Sequence, residues 1–238
     1  MKSEIETKLR AITAIHFDGD GVIVDSKHFN AAPFLEPALQ VALPSVGQPN
    51  IYEPGMLESF SSRGIATFEQ DRGIPSGRLW REFMSTLKGM VKSHVRPIDG
   101  STEFLATART SGLFISLVTF ASELEQTIVF RALGITKEDF FRFAITKDDV
   151  EKPKPDGECY DKAIKMAAIL GIESEQSLII EDSVRGVTAA KAAMDKRNEK
   201  RGLICGLLTS ESEESLMEAG ADFCMPGFAE LRKAIWSQ

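Results

Sequence analysis

The sequence predicts an α/β fold: a Rossmann-like parallel sheet core with an inserted helical cap. Three observations predict it. After residue 95, short apolar runs rich in β-branched residues alternate with helical patterns of about a dozen residues. A similar strand-like run lies near the start, at residues 12–17. Between the two, residues 26–94 read as helix and turn, and no convincing strand interrupts them.

The elements follow in order. Ile12, Ala14, Ile15 and Phe17 form a short buried strand. It ends at once in Asp18 and Asp20, held among glycines in "FDGDG" (17–21). At about 4 Å and an effective dielectric near 20, two such charges repel by roughly 4 kcal/mol, so something must offset them. Residues 26–43, "SKHFNAAPFLEPALQVAL", and 76–95, "SGRLWREFMSTLKGMVKSHV", look helical, and "PSVGQPNIYEPG" (44–55) is a turn-rich connector. The chain returns to the sheet near "RPIDG" (96–100). The expected domains are a core of residues 1–25 and 95–238 and a cap of residues 26–94.

Within the core, "GSTEFLATARTSG" (100–112) carries Phe104, Leu105 and Ala108 on one helical face, before the strand "LFISLVTF" (113–120). "SELEQTIVFRALG" (122–134) opens with Ser122 and Glu125 at capping-box spacing and ends at Gly134. After the strand "FRFAIT" (141–146), "ECYDKAIKMAAILG" (158–171) places Tyr160, Ala163, Ile164 and Ala167 at helical spacing and stops at Gly171. The strand "SLIIED" (177–182), the Ala-rich helix "VRGVTAAKAAM" (184–194) and the strands "GLICGLLT" (202–209) and "ADFCM" (221–225) complete the pattern. Such alternation means βαβ units, whose sites form at the carboxyl ends of the strands.

Bulk properties bound the function. The chain has 238 residues, 43% of them hydrophobic, enough for a real core. A net charge of −7 argues against nucleic acid and acidic membrane surfaces as main partners, while a locally positive site still allows an anionic substrate. Cys159, Cys205 and Cys224 show no CxxC spacing, which points to a reducing compartment and buried small-apolar roles. The segment "MKSEIETKLRA" lacks an apolar signal core, and no run approaches 18 apolar residues. A soluble cytoplasmic protein, monomer or homodimer, is the expectation.

Polar residues recur just past the apolar runs: Asp18 and Asp20, then Thr119, then Lys152 and Lys154 in "VEKPKPD", then Glu181 and Asp182. In a parallel sheet these ends converge, giving a carboxylate cluster, a hydroxyl and an ammonium. Carboxylate oxygens with little His or Cys nearby suit a hard cation such as Mg²⁺, which offsets the repulsion and favours phosphate oxygens. A lysine and a hydroxyl hold the remaining phosphate oxygens. One aspartate can then attack phosphorus while the second moves protons.

Four motifs carry a resemblance. "FDGDGVIVDS" (17–26) resembles the DxDGxxxDS motif of the haloacid dehalogenase (HAD) superfamily; "LVT" (117–119) its second motif; "KPKPD" (152–156) the KPxPD form of its third; and "IIEDSVRGVTAAKAA" (179–193) its fourth, EDSxxGxxAA. Order and spacing agree over residues 12–26 and 96–238, and the subgroup resembled is that of capped phosphatases and β-phosphoglucomutase. The resemblance implies Asp18 as nucleophile and Asp20 as general acid/base. It implies Mg²⁺ on Asp18, the Asp20 backbone carbonyl and Asp182, with Glu181 supporting through water. Thr119 would bind phosphate, with Gly19 beside it, and Lys152 would pair with nucleophile and phosphate. Lys154 competes for that role, and the spacing to Pro155–Asp156 favours Lys152. Dehalogenases of the superfamily lack the second aspartate, so Asp20 favours phosphate chemistry.

The cap departs from the pattern. Lys27 stands where Glu is common, Asn30 where β-phosphoglucomutase has histidine, and Phe120 where a small or polar residue is usual. "AAMDKRNEKRG" (192–202) replaces the common Ala-Ala-Gly turn. Plainer roles compete at each position. Asp-Gly pairs end strands in solvated turns, and Glu181–Asp182 can serve a helix dipole. His16 reads as a satisfied strand residue, His94 as a surface one, and His28 as facing substrate or solvent. Arg63, Arg72, Arg78 and Arg81 read as a solvated helix face, with Arg63 favoured as an anion clamp. Trp80 and Phe83 read as cap packing. The expected function is a Mg²⁺-dependent phosphatase hydrolysing a small phosphorylated metabolite through an aspartyl-phosphate. The alternatives are a phosphomutase, which Asn30 disfavours, and a non-catalytic phosphate-binding module.

Overall fold

The computed structural model describes residues 2–25, 32–49, 62–197 and 200–236. Chain contacts divide it into two units: Met1–Lys27, Pro97–Glu123 and Thr136–Gln238 in the first, His28–Arg96 and Leu124–Ile135 in the second. In chain order the elements are α1 (Lys2–Arg10), β1 (Ala14–Phe17), β2 (Val24–Asp25), α2 (Ala32–Ser45), α3 (Ser62–Asp71), α4 (Arg78–Val91), β3 (Arg96–Pro97), α5 (Ser101–Thr110) and β4 (Phe114–Val118). There follow α6 (Glu123–Ala132), α7 (Lys137–Phe140), β5 (Phe143–Ile145), α8 (Glu158–Ile169), β6 (Ser177–Glu181), α9 (Val184–Asp195), β7 (Leu203–Leu207), α10 (Glu213–Ala219), β8 (Phe223–Met225) and α11 (Phe228–Trp236).

The first unit is a six-stranded parallel sheet in the order β5-β4-β1-β6-β7-β8, flanked by helices. It is the Rossmann-like α/β core that the sequence predicts. β1, β6 and β7 are buried at every position, as helices on both faces of a parallel sheet require. Tyr160, Ala163 and Ile164 of α8 and Val187, Ala190, Ala193 and Met194 of α9 share one apolar cluster with Val118, Ile179 and Ile204 of the strands. Elsewhere Phe17 meets Phe104 edge-on at 5.9 Å, and Phe104 meets Phe228 at 4.9 Å.

Register sets the site. Phe17 aligns with Leu117 of β4 and with Ile180 of β6, so three neighbouring strands end at the same level. Asp18 N–H donates to Ile180 O at 3.0 Å, and Thr119 N–H to Ile145 O at 2.9 Å. Strand order reverses between β1 and β6, the place where a crevice opens in such sheets. His16 is fully buried, with Nδ1 2.6 Å from Ser116 Oγ and Nε2 3.4 Å from Ser177 Oγ. Burial, with the Arg197 charge adding to it, pushes its imidazole down to about 4. It is the satisfied strand residue that the sequence suggests.

The regular structure described in the second unit is almost entirely helical, α2, α3, α4 and most of α6, with Arg96 of β3 at its edge. Leu79, Phe83, Met84, Leu87 and Val91 form the buried stripe of α4, which packs against α2. The buried Glu69 carboxylate accepts the N–H groups of Gly77, Leu79 and Trp80 at 2.5, 2.7 and 3.2 Å and so caps α4. Leu124–Ile135, read from sequence as part of the core, groups with this unit. The expectations for Lys27, His28 and Asn30 fall outside the described residues. Among the described residues, no helix is long and apolar enough to cross a membrane.

Candidate active site

The chain past β1 makes a tight turn. Gly19 O accepts the N–H groups of Ile23 and Val24 at 2.9 and 3.1 Å, and Gly21 N–H donates to Val24 O at 2.7 Å. Gly21 has φ +78, and a Cβ there would overlap the Asp182 carboxylate. A glycine is therefore required both by the backbone and by the approach of β1's turn to β6's end. Thr209 Oγ1 donates to Gly21 O at 2.6 Å, tying the same turn to the end of β7.

Asp18, Glu181 and Asp182 come together, all three buried. Lys154 Nζ lies among them, 2.7 Å from Asp18 Oδ1, 2.6 Å from Glu181 Oε1 and 3.2 Å from both Val118 O and Tyr160 Oη. Tyr160 Oη donates to the same Glu181 Oε1 at 2.6 Å. Glu181 Oε2 is 3.3 Å from the Ser183 hydroxyl and from Asp182 N–H. Both oxygens of Glu181 are thus engaged within the protein.

The electrostatics follow from this crowding. Burial first, and then the neighbouring Glu181, Asp182 and Asp20 charges, hold the Asp18 carboxyl well above its ordinary value, against the pull of Lys154. Burial also raises Asp182, to about 6, while a hydrogen bond from Ser210 works the other way. Burial alone would lower the Lys154 ammonium, but Asp18 and Glu181 outweigh it and keep the group charged far above its usual range. Tyr160 is pushed up by burial and by Glu181, so its phenol stays protonated and donates.

The lysine at Asp18 is Lys154, and this corrects the expectation for Lys152. Lys152 is exposed, and its N–H is held by Glu158 Oε2 at 2.9 Å, beside that of Glu151. Glu158 thereby fixes the loop with Lys152 outward. Two residues on, Arg185 Nη2 donates to Lys154 O at 2.5 Å from the opposite side, and Lys154 turns inward. Both lysines precede a proline, so spacing alone did not separate them.

The remaining sequence candidates fall as follows. Thr119 is buried; its Oγ1 accepts Ala121 N–H at 3.1 Å and stands 3.5 Å from Asp20 Oδ2. Asp20 is exposed beside it, and its carboxylate is not among the clustered metal-ligand atoms. Gly19 serves the turn through its carbonyl and does not line the cleft. Arg63 lies in the first turn of α3, with its side chain outside the described residues. Sequence reasoning missed Tyr160 and Arg185 as site residues. Tyr160 reads as one more residue of an apolar helix face, although a buried phenol needs a partner. Arg185 sits inside a motif whose glycine and acids draw the attention.

The cleft at these strand ends is open, about 310 Å³, and lined by Asp18, Asp20, Gly21, Phe120, Lys154, Asp182, Ser183, Arg185 and Ser210. Donor atoms from Asp18, Glu181 and Asp182 lie within 4.8 Å of one another. Hard carboxylate oxygens on two buried, mutually repelling strand ends fit a divalent cation. The acids can hold the ion, the ammonium and hydroxyl can hold an anion, and Asp18 can act as nucleophile.

Residues 15–197 match the haloacid dehalogenase-like hydrolase family. The chain belongs to that family. This hydrolase is 26% identical over 222 residues to validoxylamine A 7'-phosphate phosphatase of Streptomyces hygroscopicus subsp. limoneus, covering 91% of its own length and 94% of the relative's. It is 26% identical over 193 residues to phosphoglycolate phosphatase of Neisseria gonorrhoeae, covering 76% and 77%. Among solved structures it resembles a HAD family hydrolase of Deinococcus radiodurans R1 with bound phosphate and sodium, at 25% identity and a TM-score of 0.55, covering 95% and 96% of the two chains.

Proposed function

We propose that this hydrolase is a Mg²⁺-dependent phosphatase that releases phosphate from a small soluble phosphomonoester through an aspartyl-phosphate on Asp18. The observation that carries the reading is the convergence of Asp18, Lys154, Glu181 and Asp182 at the ends of adjacent parallel strands. Relatives named as phosphatases support it.

Each side chain has a task in this reading. An Asp18 oxygen attacks phosphorus, and the ester oxygen departs with a proton from Asp20. Asp20 then takes a proton from water, which attacks the aspartyl-phosphate and frees Asp18. Lys154 neutralises Asp18 and the phosphoryl oxygens, and Thr119 donates to one of those oxygens. Asp18, the Asp20 carbonyl and Asp182 would hold the Mg²⁺, with Glu181 fixing Lys154 behind them. When bound, the ion supplies positive charge that draws phosphate in and balances the acids. The inserted segment, residues 26–94, would serve as a cap for the site.

The test is a screen of phosphorylated metabolites with Mg²⁺, run beside Asp18→Asn. Phosphate release that EDTA abolishes and the variant lacks is expected. Equal turnover by Asp18→Asn would overturn the mechanism. Transfer of phosphate to a sugar hydroxyl, instead of release, would identify a phosphomutase.

A further inference from the structure

We propose that Arg185 reads an anionic group on the leaving group, so that the substrate is a phosphomonoester carrying a second anion such as a carboxylate. The inference rests on the phosphatase reading above and narrows its substrate class.

The cleft's own charges point to it. Its lining carries three carboxylates, Asp18, Asp20 and Asp182, and two cations, Lys154 and Arg185. Lys154 is committed to the reacting centre: its ammonium contacts Asp18 and Glu181 at 2.7 and 2.6 Å. Arg185 is not. It is solvent-exposed, and among the described residues its guanidinium has one partner, the neutral carbonyl of Lys154 at 2.5 Å. A guanidinium has five N–H donors in a planar fork that matches a carboxylate. One Nη pinned to a carbonyl holds the fork in place and leaves its other donors for a ligand.

A site lined by so many acids admits a dianionic ester at an electrostatic cost, and a second anion on the substrate would raise that cost. Among the described residues Arg185 is the cleft cation able to offset it, because pairing a substrate anion breaks no ion pair within the protein. Its place in the first turn of α9, two residues after Ser183 caps that helix, fixes its backbone on a rigid element.

The test compares matched esters on the full-length protein with Mg²⁺: phosphoglycolate against ethyl phosphate, and 3-phosphoglycerate against glycerol 3-phosphate. The wild type is expected to favour the carboxylated member of at least one pair about tenfold or more in kcat/KM. In Arg185→Ala that preference collapses by about ten- to a hundredfold, mainly through KM, and Arg185→Lys restores part of it. Thermal melts of both variants check that the fold is kept. An equal loss on both members of a pair would mean that Arg185 only positions Lys154, and would overturn the inference. So would a wild type with no preference. Failure of the parent reading has a different signature: no phosphate from any of the four esters or from p-nitrophenyl phosphate.

Discussion

Lys154 Nζ stands 2.7 Å from Asp18 Oδ1 and 2.6 Å from Glu181 Oε1, so one ammonium group joins the ends of β1 and β6. Removing it leaves two buried carboxylates facing each other without a cation. Breaking such a buried pair typically costs about 3–5 kcal/mol. Lys154→Ala is expected to lower phosphatase activity by at least about a hundredfold and to melt well below the wild type. Lys152→Ala, at an exposed position, is expected to change either quantity little. Steady-state kinetics and thermal melts of the two variants, measured together, check the assignment; the opposite ranking would return the role to Lys152.

Much of this site is legible in the sequence because each acid or hydroxyl follows an apolar run, and a parallel sheet gathers strand ends. Asp18, Thr119, Glu181 and Asp182 are of this kind. The choice between Lys152 and Lys154 is of another kind. It depends on which backbone amides Glu158 captures, at the start of the helix that follows, and which carbonyl Arg185 captures from α9, and neither contact can be read from the KPKP run itself. Tyr160 was likewise hidden, since helical spacing gives the buried face but not the partner of a phenol. The α1 helix escaped notice because Leu9 is nearly the whole of its buried apolar surface. α3 escaped because its apolar residues are few and its start lies in turn-like sequence.

Tyr160→Phe tests the second donor on Glu181. The ring keeps its place, and Glu181 Oε1 loses one hydrogen bond in a fully buried setting. A buried acceptor deprived of a donor typically costs about 1–3 kcal/mol. Urea unfolding should show that loss in the metal-free protein. With Glu181 left to Lys154 alone, the ammonium shifts its weight away from Asp18, so kcat should fall more than KM changes.

Gly186, in the first turn of α9, lies so close to the end of β6 that a Cβ there would overlap the Glu181 carboxylate. Gly186→Ala therefore has to displace a fully buried acid that holds Lys154. Lost activity is expected together with a melting point several degrees below wild type, roughly the effect of a destabilisation of 1–3 kcal/mol. A variant with normal activity would mean that Glu181 has more freedom than this packing allows.

Asp182 is buried beside the Glu181 charge, and a bound cation would relieve that repulsion. Asp182→Asn removes one of the two charges and keeps the shape. In EDTA the variant should melt at or above the wild-type temperature, because repulsion falls. On adding Mg²⁺ the wild type should be stabilised and the variant far less, by the mass-action gain that a bound ligand gives. Thermal melts with and without Mg²⁺ read both effects without any substrate. An unchanged Mg²⁺ response in the variant would remove Asp182 from the ion's ligands.

His16 makes stability depend on pH in a way that can be separated from the acids. Its imidazole is held neutral in the fold, down to about 4, against an ordinary value of 6.5. The unfolded chain therefore takes up the proton first as pH falls. Stability is lost between about pH 6.5 and 4, and the whole effect is about 3 kcal/mol at most. Asp18 works in the opposite sense over an overlapping range, because its carboxyl is raised and the fold gains by protonating it. The two partly cancel in the wild type, so the wild-type curve alone is a poor test. The difference between wild type and His16→Gln isolates the imidazole, since Asp18 is common to both. Gln removes two satisfied contacts, with Ser116 and Ser177, and lowers stability at neutral pH. That deficit should shrink steadily as the pH is taken from 7 to 4.5 in urea unfolding. A deficit constant across the range would mean that His16 keeps an ordinary pKa in the fold and that its burial is not what sets its charge.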